Sequence, residues 1–187
     1  MYKSTRAEDW PIVKYDNIQK NGCPKCNLPL KNLQTYKVLA GLSTPTVHLV
    51  CGKRIEFGHT VVATDFDMPS LFCGIIWPNT KHWLPKDYDE VRCIIESLPP
   101  DIQKLGRLRV QVYKSNCSEE FFFCSVDTPR SLRNSFLSPE LNKTKTAFPD
   151  ASCAFFEYNI RQKKAVDVRL NVTSCKEKAF SLCEGMN

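Results

Sequence analysis

The sequence predicts an α+β fold, in which an antiparallel sheet carries one or two short helices and is held together by disulfides. Three observations lead to this prediction: the chain has ten cysteines in 187 residues, two segments alternate strictly between apolar and polar residues, and one stretch has apolar residues at helical spacing. A chain that is 42% hydrophobic and 25% charged is globular in composition. At this length it can bury a substantial core.

Two segments of the second half repeat the same order of features. Residues 93–124 have the cysteine spacing C-x23-C-x6-C, and residues 153–183 have the spacing C-x21-C-x7-C. In each, a Cys opens an apolar stretch with one Glu (Glu96 or Glu157), and a basic turn and an alternating strand follow. Period-two alternation is typical of a sheet with one buried and one solvated face. We therefore predict two three-stranded meanders, either a partial repeat or two unrelated meanders that coincide.

The other elements follow from local signals. The stretch 85–95 has acidic residues in its first turn and predicts a helix. Within the paired segments, strands are expected at 108–112 and 166–172, each followed by a strand that ends in Cys. Further strands are expected at 36–42, 47–50 and 71–77, a strand or helix at 54–66, and a second short helix within 129–141. Two Phe runs, 121–123 and 155–156, are expected in the core.

The composition and the missing motifs exclude several function classes. Glycine is scarce, and the chain has no G-x-G-x-x-G, Walker A or G-x-S-x-G motif, which argues against dinucleotide-binding, phosphate-loop and α/β-hydrolase enzymes. No run of about 18 apolar residues predicts a membrane span. The net charge of +6 is compatible with RNA, an acidic protein or an anionic surface as partner, and also with a plain solvated surface.

The cysteines indicate an oxidising compartment. Their number is even and allows five bridges, and cytosolic thiols are kept reduced. Residues 1–20 do not resemble a signal peptide, so we expect a mature secreted chain, with a cytosolic chain as the alternative. Three N-glycosylation sequons add weak support, at Asn116, Asn142 and Asn171. The candidate disulfide residues are Cys23, Cys26, Cys51, Cys73, Cys93, Cys117, Cys124, Cys153, Cys175 and Cys183.

A zinc site is the alternative use of the first cysteines. Cys23, Cys26, His48 and Cys51 have the spacing C-x2-C-x21-H-x2-C, which suits a tetrahedral site built from two turns. Such a site would take three cysteines and leave seven, an odd number, in an oxidising setting. We therefore favour disulfides and no cofactor, with zinc as the alternative.

Basic residues of the second half provide the candidate binding surface. If the two meanders share a sheet, their basic side chains form one stripe that could hold RNA or an acidic protein. The alternative is an ordinary polar sheet face. The residues are Lys104, Arg107, Arg109, Arg161, Lys163, Lys164 and Arg169.

Four short stretches resemble one family. They are Val50-Cys51-Gly52, the stretch from Trp77-Pro-Asn to His82, the stretch from Glu96-Ser-Leu to Pro99, and the strand from Arg107 to Tyr113 with Phe123-Cys-Ser-Val-Asp127. In this order they resemble the guanyl-specific ribonucleases of fungi and the ribonuclease-like secreted effectors of powdery mildew fungi. The resemblance covers about residues 48–130.

The resemblance implies roles for individual residues. Glu96 would be the general base, Arg109 the phosphate clamp and His82 the histidine of the first strand, while Asp127 stands at the general-acid position. An ionised Asp cannot protonate a leaving oxygen, so the resemblance implies an inactive ribonuclease-like protein. Together with the pass along the chain, this divides the sequence into an arm with a Cys-containing loop at 1–34, a ribonuclease-like core at 35–130, and a C-terminal meander at 131–187 that could partly repeat 93–124 and is expected to pack with the core.

The expected function is that of a secreted, monomeric, non-enzymatic effector. It would bind a host macromolecule, either protein or RNA, and could act inside the host cell. The alternatives are a zinc-stabilised nucleic-acid-binding protein and an active secreted ribonuclease.

Overall fold

The computed structural model describes residues 45–58, 73, 79–115, 120–125, 128–143, 151–174, 177 and 179–186. Within these ranges the chain forms antiparallel sheets with short helices, which confirms the predicted α+β class. The elements in chain order are β1 Pro45–Val50, β2 Lys53–Gly58, β3 Thr80–His82, α1 Tyr88–Ser97, α2 Pro100–Gln103, β4 Arg107–Ser115, β5 Phe122–Ser125, β6 Thr128–Ser131, α3 Ser138–Leu141, β7 Ala151–Arg161, β8 Lys164–Ser174 and β9 Cys183–Gly185.

The larger sheet has five strands in the order β6-β5-β4-β7-β8, all antiparallel. The predicted strands at 108–112 and 166–172 lie in β4 and β8 and are confirmed. On β4 the apolar residues of the alternating pattern, Leu108, Val110 and Val112, are fully buried in the core. The two Phe runs also contribute to the core as predicted, through Phe122, Phe123, Phe155 and Phe156.

Helix α1 covers one face of the larger sheet. Its N-cap is Asp87, whose carboxylate accepts a hydrogen bond from the backbone N–H of Glu90 at 2.8 Å. Val91, Ile94 and Ile95, three and four residues apart, are buried in one cluster with the apolar side of β4. The helix ends before Pro99 and Pro100, as expected because the residue before a proline avoids the helical conformation.

The helix contradicts the predicted pair of equivalent meanders. The helix expected at 85–95 is confirmed, but it runs through Ser97, so residues 93–97 are helical. The matching residues of the second segment, from Cys153 onward, lie in strand β7. The cysteine spacing did not distinguish them, because in both segments a Cys opens an apolar stretch, whereas the helical spacing of Val91 and Ile95 and the acidic first turn are local signals for the helix.

The smaller sheet has four strands in the order β1-β2-β9-β3. Strands β1 and β2 form a hairpin whose two-residue loop is Cys51-Gly52, and both residues have positive φ, 52° and 73°. Two residues with positive φ are typical of the type I′ turn, which matches the twist of a hairpin. The strand expected at 47–50 is confirmed, and the described part of 54–66 is strand rather than helix.

The C-terminal segment joins the two sheets. The backbone N–H of Arg109 in β4 donates to Phe180 at 2.7 Å, and the backbone N–H of Trp83 donates to Leu182 at 3.1 Å. Strand β9 then pairs with β2 and β3. Ile55 and Trp83, which lie in β2 and just after β3, share one buried cluster with Leu108, so the two sheets pack around a common core.

A buried ion pair ties the smaller sheet to helix α1. The Lys53 ammonium lies 2.8 Å from a carboxylate oxygen of Glu90, and the indole N–H of Trp83 donates to the same oxygen at 3.1 Å. Glu184 of β9 also contacts Lys53, at 3.4 Å. Burial raises the pKa of Glu184, while Lys53 and Lys81 act in the opposite direction. Lys53 therefore stabilises two carboxylates at the junction between α1 and the smaller sheet.

Other predictions meet the structure only in part. The short helix expected within 129–141 is confirmed at Ser138–Leu141, while Thr128–Ser131, at the start of that range, pairs with β5 as a strand. The arm at 1–34, the strand at 36–42 and all of 71–77 except Cys73 lie outside the described residues. No helix in the described ranges is long and apolar enough to cross a membrane.

Candidate binding surface on the larger sheet

Three charged residues from neighbouring strands line up across the larger sheet. Arg107 of β4 is in register with Glu157 of β7, and Glu157 is in register with Arg169 of β8. We call these the Arg107–Glu157–Arg169 row. A guanidinium nitrogen of Arg107 lies 3.5 Å from the Glu157 carboxylate, and one of Arg169 lies 3.2 Å from it. The amide of Asn171 donates to the same carboxylate at 3.0 Å.

The strand pattern places this row on the face away from the core. Each residue of the row has a neighbour in the chain that belongs to the core or packs against it. Leu108 follows Arg107, Phe156 precedes Glu157, and Leu170 follows Arg169. Because successive side chains of a strand point to opposite faces, the row faces outward. The predicted alternation of 108–112 and 166–172 is the local reason for this arrangement.

Several neighbours hold the Arg107 side chain. Besides Glu157, its guanidinium lies 3.6 Å from the carboxylate of Glu177 and stacks over the Phe155 ring, 5.0 Å from the ring centroid. The Arg107 side chain is 43% exposed and that of Arg169 is 74% exposed. Each guanidinium carries five N–H donors in a planar fork, so both retain donors that point to solvent.

A cavity of about 450 Å³ opens beside the row. Its lining includes Arg107, Glu157 and Arg169, together with Leu105 and Gly106 from the loop before β4. Gly106 has a positive φ of 66°, and a Cβ there would lie 3.4 Å from the backbone oxygen of Tyr158. The loop therefore needs a glycine where it passes close to β7.

Arg109 does not lie on the surface where a phosphate clamp would be. Its side chain points to the same face as Arg107, but the residue is only 3% exposed. The guanidinium donates to the backbone oxygen of Glu177, and the backbone N–H donates to Phe180. The segment that contains Glu177 and Phe180 covers Arg109, so the structure gives it a structural role instead of the predicted binding role.

Glu96 lies on helix α1 and not on a strand. Its carboxylate accepts the backbone N–H of Ala165 at 3.0 Å and contacts the Lys164 ammonium at 3.1 Å. The Ala165 hydrogen bond, with smaller contributions from Lys164, lowers the pKa of Glu96 although burial acts the other way. Glu96 therefore binds the edge strand β8, which explains its position better than the predicted role as a general base.

His82 lies in the smaller sheet. It is 2% exposed, and burial lowers the pKa of its imidazole to about 3, so the ring is neutral at physiological pH. Among the described residues its Nε2 atom has no hydrogen-bond partner. Since Glu96 is on α1 and Arg109 is covered on β4, the structure does not bring the three residues implied by the ribonuclease resemblance together. Asp127 lies outside the described residues.

The remaining basic residues do not form a continuous stripe. Lys104 follows α2, and Arg161, Lys163 and Lys164 lie at the turn between β7 and β8, all of them exposed. Carboxylates are interspersed among them: Asp167 lies 3.8 Å from Arg161, and Glu96 contacts Lys164. The predicted stripe is therefore wrong for this end of the sheet, where opposite charges alternate.

The described cysteines are disulfide-bonded wherever their side chains are described. Cys51 is bonded to Cys93 and Cys73 to Cys183, and Cys153 is also in a disulfide. The sulfur of Cys51 is thus not available as a thiolate to the alternative zinc set. His48 of that set is half-buried in β1, and Cys23 and Cys26 lie outside the described residues. The described ranges contain no group of three His, Cys, Asp or Glu that could hold a metal ion.

Two of the three sequons can be placed. Asn142 follows helix α3 and Asn171 lies in β8, and both are exposed, while Asn116 lies outside the described residues. Cys117, Cys175 and the side chain of Cys124 are likewise outside what the structure describes.

Sequence reasoning missed the central residue of the row. The sequence marks Glu157 only as the one Glu of the apolar stretch after Cys153, and the signal that could have identified it is its position opposite two arginines of alternating strands. Comparison of the chain with protein-family models, with curated proteins and with solved structures finds no match.

Proposed function

We propose that this chain is a secreted, disulfide-stabilised, non-enzymatic effector that binds a host protein through the Arg107–Glu157–Arg169 row. The observation that carries the proposal is that one carboxylate holds two partly exposed guanidiniums beside an open cavity. Arginine is enriched at protein interfaces, and a few such residues supply most of the binding energy.

The row is pre-organised for binding. Holding a long side chain in one position before association removes part of the entropy cost of binding. Arg107 is held by Glu157, Glu177 and the ring of Phe155, while Arg169 is held by Glu157. An acidic side chain or a carboxyl terminus of a partner could accept two parallel hydrogen bonds from either guanidinium.

A protein partner is favoured over RNA by the chemistry of this face. RNA binding without sequence preference combines uncompensated positive charge with exposed aromatic rings on which bases stack. Here the charges alternate in sign, and Phe155 and Tyr158 are buried. No aromatic residue whose burial the structure describes is exposed. RNA is therefore the alternative partner, and the capture experiment below distinguishes it from a protein.

The disulfides support a location of the protein outside the reducing cytosol. Such bonds form and persist in oxidising compartments. The Cys73–Cys183 bond connects residues 110 positions apart, and both sulfur-bearing residues are buried in the core. A fold that has buried a disulfide between its C-terminal strand and a distant residue depends on that bond for stability.

A non-enzymatic role is supported by the surroundings of Glu157. Cleavage of RNA by a 2′-hydroxyl requires a base to take its proton and an acid to protonate the leaving oxygen. Glu157 could be a base, but the side chains that the structure shows in contact with its carboxylate are Arg107, Arg169 and Asn171. The two histidines of the described ranges, His48 and His82, lie in the smaller sheet.

The test compares variants of the row with a matched surface control. The oxidised full chain, its Arg107→Gln/Arg169→Gln variant and its Lys86→Gln/Lys143→Gln variant are each used to capture proteins from a host-cell extract. A partner should be retained by the wild type and the control and be reduced about tenfold or more for the arginine variant. The purified partner should show the same order of affinities by calorimetry.

Two results would contradict the proposal. The first is capture that does not change in the arginine variant, or that disappears after the extract is treated with a nuclease, which would assign the surface to RNA. The second is cleavage of single-stranded RNA by the wild type that is lost in Glu157→Gln, which would make the protein an enzyme.

A further inference from the structure

We infer that Asn142 carries an N-linked glycan and that the first sugar occupies the cavity beside it. The inference depends on the proposed secretion, because sequons are modified only on chains that enter the secretory pathway. Asn142-Lys-Thr144 is one of three sequons in the chain. The structure distinguishes it from the sequon at Asn171.

The position of Asn142 suits the modification. Asn142 is exposed and immediately follows helix α3. Its side-chain nitrogen, the atom that takes the sugar, donates a hydrogen bond to the hydroxyl of Ser138 at 3.2 Å. This contact holds the amide at the wall of a cavity of about 340 Å³ that both residues line. No strand pairing has to break to admit a glycan, since Asn142 lies outside the sheets.

The cavity wall offers both apolar and polar groups, which match the apolar and polar parts of an N-acetylhexosamine. The half-buried ring of Phe121, with the little surface that Leu132 and Leu141 leave exposed at 3% each, supplies apolar contacts for the sugar ring and the acetyl methyl group. Polar groups on the wall come from Lys114, which lies 6.0 Å from the centroid of the Phe121 ring, and from Arg133, which pairs with Glu120. These can hydrogen-bond the hydroxyls and the acetamide.

Asn171 is placed differently. Its side-chain nitrogen donates to Glu157 at 3.0 Å, and its side-chain oxygen accepts the backbone N–H of Val172 at 3.1 Å. A sugar on this nitrogen would lie over the Arg107–Glu157–Arg169 row and would cover the surface through which binding is proposed. We therefore assign the glycan to Asn142 and leave Asn171 unmodified.

The modification is a group transfer without a change of oxidation state. The nitrogen of Asn142 forms a bond to C1 of the first N-acetylglucosamine, and the bond from C1 to the diphosphate of the lipid-linked oligosaccharide donor breaks. The lipid diphosphate leaves, and the nitrogen loses one proton. The donor and the transferase are those of the secretory pathway and not part of this chain.

The first experiment measures occupancy at each asparagine. The full chain is expressed behind a cleavable secretion signal in eukaryotic cells, together with Asn142→Gln and Asn171→Gln. Peptide mass spectrometry is applied to both the membrane fraction and the medium. We expect a glycan on the peptide with residue 142 that Asn142→Gln removes, whereas Asn171→Gln leaves the glycan mass unchanged.

An unmodified residue 142 in the membrane fraction or in the medium would overturn the inference, and so would a glycan on residue 171. Failure of the proposed secretion gives a different result. In that case the glycan is present on residue 142 in the membrane fraction, because the transfer takes place in the lumen, but no protein reaches the medium.

The second experiment tests whether the first sugar occupies the cavity. The fully glycosylated chain is compared with the form left by an endoglycosidase that retains one N-acetylglucosamine, and with sugar-free wild-type chain made in cells whose N-glycosylation is inhibited, which keeps Asn142 as asparagine. The single-sugar form should melt at the temperature of the fully glycosylated form, and the sugar-free form should melt about 2–4 °C lower. Equal midpoints for the single-sugar and sugar-free forms would contradict a seated sugar.

Discussion

Arg107 and Arg169 reach the same carboxylate, that of Glu157, from the strands on either side of it. The two guanidiniums lie 3.5 Å and 3.2 Å from its oxygens. One negative charge between two positive ones leaves the row with a net positive charge, and it keeps both arginines extended across the sheet. The row therefore depends on Glu157 for its geometry.

Replacement of Glu157 should affect stability and binding together. Glu157→Gln removes the charge that the two guanidiniums and Asn171 share, and we expect the free energy of unfolding to fall by about 1 kcal/mol because the pairs are partly exposed. Urea denaturation measures this change. The affinity for the captured partner should fall as well, since the arginines lose the group that positions them.

Glu177 is the matched control, since it contacts only one of the arginines at 3.6 Å and is 53% exposed. Glu177→Gln should change the free energy of unfolding by less than about 0.5 kcal/mol. A Glu177 variant that loses as much stability and affinity as the Glu157 variant would show that Glu157 is not the organising residue.

Glu96 should make stability depend on pH. Its pKa is lower in the folded chain than the ordinary value of 4.5. Its contribution is therefore fully present above the unfolded pKa, and it is lost as the pH falls through the folded pKa. Glu96→Gln should cost about 1 kcal/mol near neutral pH, and the difference from the wild type should shrink as the pH falls below the unfolded pKa and disappear once the pH is below the folded pKa.

Asp89→Asn is the control variant in the same urea titrations at several pH values, because the Asp89 side chain is 94% exposed. The free energy of unfolding of that variant at neutral pH should stay within about 0.5 kcal/mol of the wild-type value. A Glu96 variant whose stability loss stays the same at acidic pH would show that the carboxylate charge does not hold Ala165 and Lys164.

The turn between β7 and β8 should be open to stabilisation. Gln162 and Lys163 have positive φ, 50° and 62°, which costs energy for residues with a side chain. Replacing them with Asn-Gly, the preferred sequence of such turns, should raise the free energy of unfolding by about 1–2 kcal/mol. Thermal denaturation checks this, and a lower melting temperature would contradict it.

A reverse change at the other hairpin is the control for the turn. Gly52 has a positive φ of 73°, and a Cβ added there would meet nothing within 4 Å. Gly52→Ala therefore introduces only the backbone strain and should destabilise by about 1 kcal/mol. A gain in the free energy of unfolding for Asn-Gly at 162–163, together with a loss for Gly52→Ala, would show that positive φ, and not the removal of a lysine, causes the change.

The buried ion pair should show strong coupling. Lys53→Met leaves the carboxylates of Glu90 and Glu184 without the cation that both contact. We expect a loss of about 3 kcal/mol, because an uncompensated buried charge is costly. In the double variant Lys53→Met/Glu90→Gln the loss should be at least about 1 kcal/mol smaller than the sum of the two single variants. Additive losses in this cycle would show that the pair contributes no interaction energy.

The two described disulfides should differ in reactivity. Cys93 is exposed and Cys51 is half-buried, whereas Cys73 and Cys183 are 1% and 3% exposed. Exchange requires a thiolate to reach a sulfur atom, so a mild reductant followed by alkylation should label Cys51 and Cys93 first. Peptide mapping over time measures the order, and simultaneous labelling of both pairs would indicate that the fold opens as a whole before reduction.

Local patterns were sufficient for the main elements of the fold. Alternation predicted β4 and β8, because side chains of a strand point to opposite faces and one face must be buried. Apolar spacing of three and four residues, with acidic residues in the first turn, predicted α1. These signals are contained in a short stretch of chain and need no knowledge of what packs against it.

Residues with the same local pattern differ in burial once the chain is folded. Arg107 and Arg109 lie on the same face of β4, two positions apart, yet the Arg107 side chain is 43% exposed while Arg109 is 3% exposed. The difference comes from the segment at Glu177 and Phe180, which accepts hydrogen bonds from both the guanidinium and the backbone N–H of Arg109, while its contact with Arg107 is the Glu177 carboxylate at 3.6 Å. A distant segment of the chain decides this, so the alternation of β4 could not show it.

By itself the sequence determined that the chain folds as an α+β protein, that it uses disulfides, and which face of β4 and β8 is apolar. Only the tertiary structure decided that Cys51 pairs with Cys93 and Cys73 with Cys183. It also decided that Glu157 stands between Arg107 and Arg169. Strand order and register bring these residues together, and both depend on the packing of the whole core around α1, because no local signal specifies which strands become neighbours.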